Sequence, residues 1–274
     1  PIPESELVFI NNTSNIHLDV MRPTMLIGGL EAVLHNQNRQ NGNVKLFEFG
    51  KSYKKLSEGD FPYQEDEHLS LLMTGQRYEE NWLNNDKAKV SYFSLKTFVN
   101  KVLTRLGIEK FQQTAVKDGV YAFGLKYHRG ASDLVTFGKI QSKLLQQMGI
   151  KQEVFYADFN WASILKALRK HKINYKEITK FPAIRRDLAL VIEKSVNFDQ
   201  ISAIAQKTGK KMLKEVNLFN VYENEEKLGA NKKSYAVSFV FEDLTKTLKD
   251  KEVDKVMNQL IQNYEGKLGA IIRR

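Results

Sequence analysis

The chain has 274 residues, 42% of them apolar, a formal charge of +10 and no cysteine. That is enough material for one or two ordinary cores. No apolar run reaches the roughly 20 residues of a membrane-spanning helix, and a cysteine-free chain excludes both a disulfide framework and thiolate metal sites while fitting a reducing cytoplasm. The first residues, Pro1-Ile-Pro-Glu-Ser-Glu6, carry no initiator methionine, basic region or apolar signal core, so the sequence is expected to begin inside a longer protein.

Taken in chain order, Arg22-Pro-Thr-Met25 precedes a helical pattern with Leu26, Leu30, Val33 and Leu34 on one side. Gly28 and Gly29 lie within it; no phosphate-loop Lys-Ser/Thr comes after them, and close helix packing is the expected reason for them. Strands are predicted at 44–53 and 68–74, an amphipathic helix at 92–106, strands at 120–127, 134–140 and 154–159, and helices at 141–148 and 161–168. The pattern predicts an α+β unit, a sheet flanked by helices, over residues 1–172. A polar segment, 172–180, separates this unit from the C-terminal part of the chain, and the boundary is placed there.

From Phe181-Pro-Ala-Ile-Arg-Arg-Asp-Leu-Ala-Leu190 the pattern changes. Leu188, Leu190 and Ile192 alternate with Ala189 and Val191, as in a strand with one buried face, and Pro182 precedes it where a missing N–H costs no ladder bond. Asn197 opens a helix with Phe198, Ile201, Ile204 and Ala205 on one face, for which Gly209 is the expected C-cap. Strands at 218–223 and 234–242 are joined by a turn containing Gly229 and Asn231. Thr247 with Asp250 reads as a capping box for a helix lasting to Gly266, and a strand at 269–273 closes the unit. The order βαββαβ over residues 173–274 predicts a ferredoxin-like antiparallel sheet with both helices on one face.

The helices should cover the side bearing Leu188, Leu190, Tyr235, Val237, Phe239 and Phe241. If Phe219 and Val221 point to that core, Tyr222 falls on the other side with Ala189, Ser234, Ala236 and Ser238. One ring among small residues suits a base stacked on Tyr222 with its edge hydrogen-bonded by Ser234, the way single strands are read on sheets; the alternative is that this face packs on another domain. Basic residues outnumber acidic ones by 23 to 18 through residue 173 and by 19 to 14 after it, so the shorter part is the more densely basic. Arg185, Arg186, Lys232 and Lys233 lie near strand ends that a phosphate backbone could cross, and Lys207, Lys210, Lys211 and Lys214 crowd the exit of the first helix. The arginines lead as phosphate or base ligands because a guanidinium fork binds bidentately; their alternative role is a salt bridge to Asp187 or to a neighbouring domain. The histidines, at positions 17, 35, 68, 128 and 171, show no metal-ligand spacing, and no metal site is expected.

Several of these blocks together carry a family resemblance: Val20-Met-Arg-Pro-Thr-Met-Leu-Ile-Gly-Gly-Leu30, Leu46-Phe-Glu-Phe-Gly50, Phe181 to Leu190, Leu218-Phe-Asn-Val-Tyr222 and Lys232-Lys-Ser-Tyr-Ala-Val-Ser-Phe239, in that order. From Val20 onward the chain resembles the C-terminal third of the β subunit of bacterial phenylalanyl-tRNA synthetase. The resemblance implies a class II synthetase-like module followed by a ferredoxin-fold anticodon-binding domain. It also implies tRNA and a catalytic α subunit as partners in an α2β2 assembly, ATP and Mg as needs of the whole enzyme, a cytoplasmic setting, and no cofactor in this fragment. Tyr127-His-Arg-Gly-Ala131 also matches the family, either as a ligand contact or as a surface turn.

No catalytic residue is expected. Adenylation needs arginines around the triphosphate and carboxylates for magnesium. After the strand ending at Gly50, where the family's catalytic relatives carry an arginine and a glutamate, this chain has Lys51, Ser52 and Tyr53, and no Gly-rich segment ending in arginine occurs near 155–168. Glu48, between Phe47 and Phe49, reads as an outward-facing strand residue. The competing functions are a general electrostatic RNA-binding module and an independent enzyme using the first unit.

Overall fold

The computed structural model describes residues 2–15, 18–59, 61–83, 85, 87–116, 118–169, 175 and 177–273. The chain divides into two compact units, Pro1–Ile173 and Asn174–Arg274. The boundary expected after residue 172 falls outside the described residues.

In the first unit a short ribbon, β1 (Val8–Phe9) with β2 (Val20–Met21), precedes α1 (Met25–Asn38), β3 (Val44–Lys55), β4 (Tyr63–Thr74), α2 (Tyr92–Arg105), β5 (Gln112–Ala115), β6 (Tyr121–Arg129), β7 (Ser132–Ile140), α3 (Ser142–Gln147), β8 (Val154–Asn160) and α4 (Trp161–Leu168). Six strands form one antiparallel sheet in the order β3-β4-β8-β7-β6-β5. Local chemistry sets the helix starts. Thr24 Oγ1 accepts from the Leu26 N–H at 3.2 Å, and Ser91 and Ser94 cap each other's backbone N–H groups.

Alternation along the strands divides the core in two. Leu69, Phe155, Ala157, Phe159, Val135 and Phe137 meet α2 and α4 on one face, while Leu72, Tyr156, Ile140 and Tyr121 meet α1 and α3 on the other. Gly29 of α1 lies against Leu72, where a Cβ would come within 2.9 Å of its Cδ1, so close packing accounts for that glycine. The edge strand β5 escapes sequence reading because Gln-Gln-Thr-Ala has no apolar alternation; its ladder with β6 makes it a strand. The turn after His128 is a hairpin, with Gly130 at φ 58° and its carbonyl oxygen 2.9 Å from His128 Nδ1.

The second unit runs β9 (Ile184–Glu193), α5 (Phe198–Gly209), β10 (Leu213–Tyr222), α6 (Glu225–Leu228), β11 (Lys232–Phe241), α7 (Asp250–Leu268) and β12 (Ile271–Arg273), with sheet order β10-β11-β9-β12. Both long helices pack on one face. Ile201, Ala205, Val253, Met257, Leu260 and Tyr264 meet Leu190, Ile192, Tyr235, Val237, Phe239 and Phe241. The buried Tyr264 hydroxyl donates to the Ile201 carbonyl oxygen at 3.2 Å.

Element ends differ from expectation for local reasons. Gly209 is helical, and its missing Cβ makes room for Leu213, whose Cβ would lie 2.5 Å away; Lys210 takes the positive φ of 47° after it. Helix α7 starts at Asp250, not within a Thr247 box, because Glu252 reaches back to the Lys249 N–H at 3.1 Å. It passes Gly266 and stops at Gly269, which adopts φ 59°. The last strand accordingly begins at Ile271, and β10 begins five residues before the expected Leu218.

Gly138 of β7 pairs with Gly124 of β6 and Tyr156 of β8. An added methyl there would collide with the Phe123 carbonyl oxygen and come within 2.7 Å of Gly124 Cα, both backbone and therefore unable to swing aside. Gly138→Ala should destabilise the first unit by about 1–3 kcal/mol, read as a lower urea midpoint for that unit.

Candidate nucleic-acid interface

The register of β11 between its neighbours fixes what lies on the helix-free face. Tyr222 pairs with Ser234 and Ser234 with Val191, Asn220 with Ala236 and Ala236 with Ala189, Asn217 with Ser238 and Ser238 with Asp187, and Glu215 with Val240 and Val240 with Arg185. β12 extends the first two rows with Ile271 and Arg273. Tyr222 is 39% exposed and Ser234 8%, so the ring stands at the rim of a floor made by small side chains. The Ser234 hydroxyl has no hydrogen-bond partner among the described residues, which leaves it available to a ligand edge.

The sequence-derived candidates separate on this frame. Tyr222, Ser234, Ala189 and Lys232 share the open face at one end. Arg185 is on the same face at the other end, about 20 Å away for the six residues between Ser234 and Val240. Its fork is engaged by Asp187, with Nε to Oδ1 at 2.8 Å and Nη2 to Oδ2 at 3.2 Å, and its guanidinium lies 5.3 Å from the Phe219 ring centroid.

Arg186 and Lys233 do not belong to the face. Adjacent strand residues point to opposite sides, so Arg186 pairs instead with Asp250 and Asp254 of α7, at 2.5 and 3.6 Å. Lys233 is buried on the helix side, where its Nζ donates to the Lys194 carbonyl oxygen at 2.9 Å and sits 4.7 Å from the Tyr235 ring centroid. Phe219 is also misplaced by parity. A bulge between Leu218 and Asn220 turns its ring, 49% exposed, to the Arg185 side, while Leu218 takes the place opposite Val237.

Sequence reading missed Arg273, which β12 sets opposite Ala189 on the edge of the sheet away from Tyr222, with no ion-pair partner among the described residues. Nothing local signals this; the residue reaches the face only because a three-residue strand docks on the edge of β9.

The first unit holds a second candidate. Ser52 Oγ lies 2.8 Å from His68 Nε2, and His68 Nδ1 lies 2.8 Å from Asp158 Oδ1, a hydrogen-bonded chain across β3, β4 and β8. Ser52 is buried, whereas His68 and Asp158 line a cavity of about 540 Å³ beside α1, together with Asp118, Asp133 and Tyr156. The hydrogen bond to Asp158, and then the charges of Asp158 and Asp66, raise the His68 pKa above its usual 6.5, against the opposing effects of burial and Arg22. Glu48 is engaged by Arg22 at 2.6 Å, and Arg22 Nε donates to the Lys51 carbonyl oxygen at 2.7 Å. Lys51 pairs with Glu65. Among the described residues the cavity's charged lining is three aspartates and one histidine.

An antiparallel sheet unit with helices on both faces is followed by a ferredoxin-like unit whose open sheet face presents a ring, a hydroxyl without a partner among the described residues, and cations, which together define a modular α+β protein. Residues 179–273 match the family model described as "Ferredoxin-fold anticodon binding domain", and residues 2–161 match "Phenylalanyl tRNA synthetase beta chain CLM domain". The chain belongs to the phenylalanyl-tRNA synthetase β-chain family. It is 44% identical over 280 residues to the phenylalanine–tRNA ligase beta subunit of Bacteroides fragilis and 35% identical to that of Porphyromonas gingivalis; each alignment covers 99% of this chain and 34% of the relative. The chain thus spans about a third of the length of these relatives. A solved pyrrolysyl-tRNA synthetase from Desulfitobacterium hafniense aligns over 60% of this chain and 53% of its own, at 18% identity and a TM-score of 0.45.

Because the folded pKa of His68 lies above 6.5, its contribution to stability is present in full below the unfolded value of 6.5 and is lost as pH rises through the folded value. The His68 ring resonance should therefore titrate with a midpoint above 6.5. Asp158→Asn should lower that midpoint and remove this component of the fall in melting temperature as pH rises.

Proposed function

We propose that the open face of the second unit holds the anticodon arm of phenylalanine tRNA, and that the first unit is a noncatalytic support for a catalytic α subunit. The assembly on this reading is an α2β2 ligase using ATP and magnesium in the cytoplasm, with ATP bound outside this fragment. Family membership supports the setting, and Lys51, Ser52 and Tyr53, standing where the family's catalytic relatives carry an arginine and a glutamate, support the absence of adenylation here.

The observation that carries the reading is the pairing of an exposed Tyr222 ring with the free Ser234 hydroxyl over a floor of Ala189 and Ala236. A base stacked on a ring contributes about 1–3 kcal/mol and needs a flat neighbourhood, and the hydroxyl adds an edge contact that distinguishes bases. Lys232 and Arg273 flank this end of the face and suit the phosphates on either side of a stacked base. Among the described residues no long apolar helix able to cross a membrane occurs.

A purely electrostatic RNA binder is the second reading, favoured by Lys207, Lys210 and Lys267. These lysines line a groove between α5 and α7 and have no ion-pair partner among the described residues.

Tyr222→Ala should weaken binding of phenylalanine tRNA by roughly tenfold to a hundredfold without changing the melting temperature, measured by fluorescence titration at low salt. The same tRNA with a replaced anticodon should bind the wild type correspondingly less well. Equal binding of the two tRNAs, with equal salt sensitivity, would favour the electrostatic reading. In the same assay Arg273→Ala should reduce affinity and lower the salt slope by about 1, whereas Arg186→Ala should leave both unchanged and cost at most about 1 kcal/mol of stability.

A further inference from the structure

Toward its Arg185 end the open face of the second unit carries another flat surface. Phe219 and Arg185 meet there, with the guanidinium carbon 5.3 Å from the ring centroid. The bulge between Leu218 and Asn220 gives the core position to Leu218 and turns Phe219 to the side that no helix covers, which leaves the ring half-exposed. The exposed half adds nothing to core burial, and re-aiming a side chain is what bulges do at sheet edges and beside binding sites.

Arg185 is set for stacking and not for phosphate. Asp187 takes the edge of its fork, accepting from Nε at 2.8 Å and Nη2 at 3.2 Å, which fixes the guanidinium plane while the side chain stays 58% exposed. Its charge is already matched. Besides Asp187, Glu215 stands in the same row across Val240, so this end of the face offers one arginine with two carboxylates. That balance disfavours a phosphate, whereas a neutral base meets no such repulsion. Aromatic rings and guanidinium planes are the two surfaces on which unstacked RNA bases are held, and both are present here.

On the footing that the open face is an RNA surface, we propose that Phe219 and Arg185 form a second stacking platform for a single-stranded RNA base. Phe219 is three residues from Tyr222 on β10, about 10 Å along the strand, too far for one base to cover both rings. The two platforms therefore take different bases of one strand. Tyr222 has Ser234 beside it to read a base edge, whereas the Phe219 platform contributes stacking alone and tolerates any base.

Fluorescence titration of phenylalanine tRNA at low and high salt, with the wild-type chain, Phe219→Leu, Phe219→Tyr, Arg185→Lys and Tyr222→Ala, tests the platform. Phe219→Leu keeps apolar bulk and removes the ring; Arg185→Lys keeps the charge and its Asp187 partner and removes the plane. Each should weaken binding roughly fivefold to a hundredfold, with the melting temperature and the salt slope unchanged because no charge is altered. Phe219→Tyr restores a ring and should bind as the wild type does. Wild-type affinity in Phe219→Leu or in Arg185→Lys, or a loss in Phe219→Tyr as large as in Phe219→Leu, overturns the platform; a phosphate ligand would survive the change to lysine. If Tyr222→Ala still weakens binding in that case, the RNA reading of the face stands without the second platform. Weakening by Phe219→Leu and Arg185→Lys but not by Tyr222→Ala keeps the platform and removes Tyr222, and no saturable binding by the wild type overturns both.

Discussion

The arrangement of the second unit depends on one constraint, the residue-by-residue antiparallel registration of β11 between β10 and β9. Because a strand alternates its side chains, that registration assigns every residue of three strands to a side at once. Leu190, Tyr235, Val237, Phe239 and Phe241 go under the helices, where each buried aromatic or aliphatic side chain is worth on the order of 1.5–3 kcal/mol. The other side is left with serines, alanines and a rim of rings. A slip of one residue would put Ser234 and Ser238 in the core and Phe239 in water, so the same hydrophobic term that stabilises the unit also fixes which side chains stand on its open face.

Charge follows the same rule. Arg185 and Arg186 are neighbours in sequence but work on opposite sides of β9, one held in the plane of the open face by Asp187 and the other tied to α7. Both pairs are solvent-exposed and contribute little to stability. Their importance is in what they remove from the pool of free cations. With Arg186 and Lys233 committed to the helix side, this end of the open face keeps Lys232 on β11 and, on the edge strand opposite Tyr222, Arg273. The lysines between α5 and α7, without an ion-pair partner among the described residues, lie on the covered side of the sheet and form a second basic surface apart from the open face.

The first unit shows the same economy with polar groups inside a sheet. Arg22 reaches both Glu48 and the Lys51 carbonyl oxygen only because Gly50 has no side chain: a Cβ there would collide with the guanidinium and stand 2.7 Å from Met25 Cε. Across the sheet, Ser52, His68 and Asp158 join three strands through one imidazole. These contacts satisfy polar side chains that the strand pattern turns toward α1. The cavity beside them is lined, among the described residues, by three aspartates as well as His68.

The elements of both units were legible in the sequence wherever apolar residues recur with a clear period: α1, α2, β9, β11 and α7 all follow their patterns, and so does the ferredoxin-like order. Ends were less legible, because Gly209 and Gly266 mark caps by composition but the true stops depend on Leu213 packing and on Gly269. The strand order follows from the ferredoxin-like arrangement, but the register that sets Val240 opposite Arg185 and Arg273 opposite Ala189 has no sequence signature. Nor has the bulge that moves Phe219 out of the core, since a bulge is set by the partner strand and not by the residues it contains. Periodicity is a property of neighbours along the chain, so the sequence determined the regular core faces and the family, though not the placement of Phe219 or Lys233. Distances between Ser52, His68 and Asp158, or between Tyr222 and Arg273, are properties of strands brought together from far apart, and only the tertiary structure decided those.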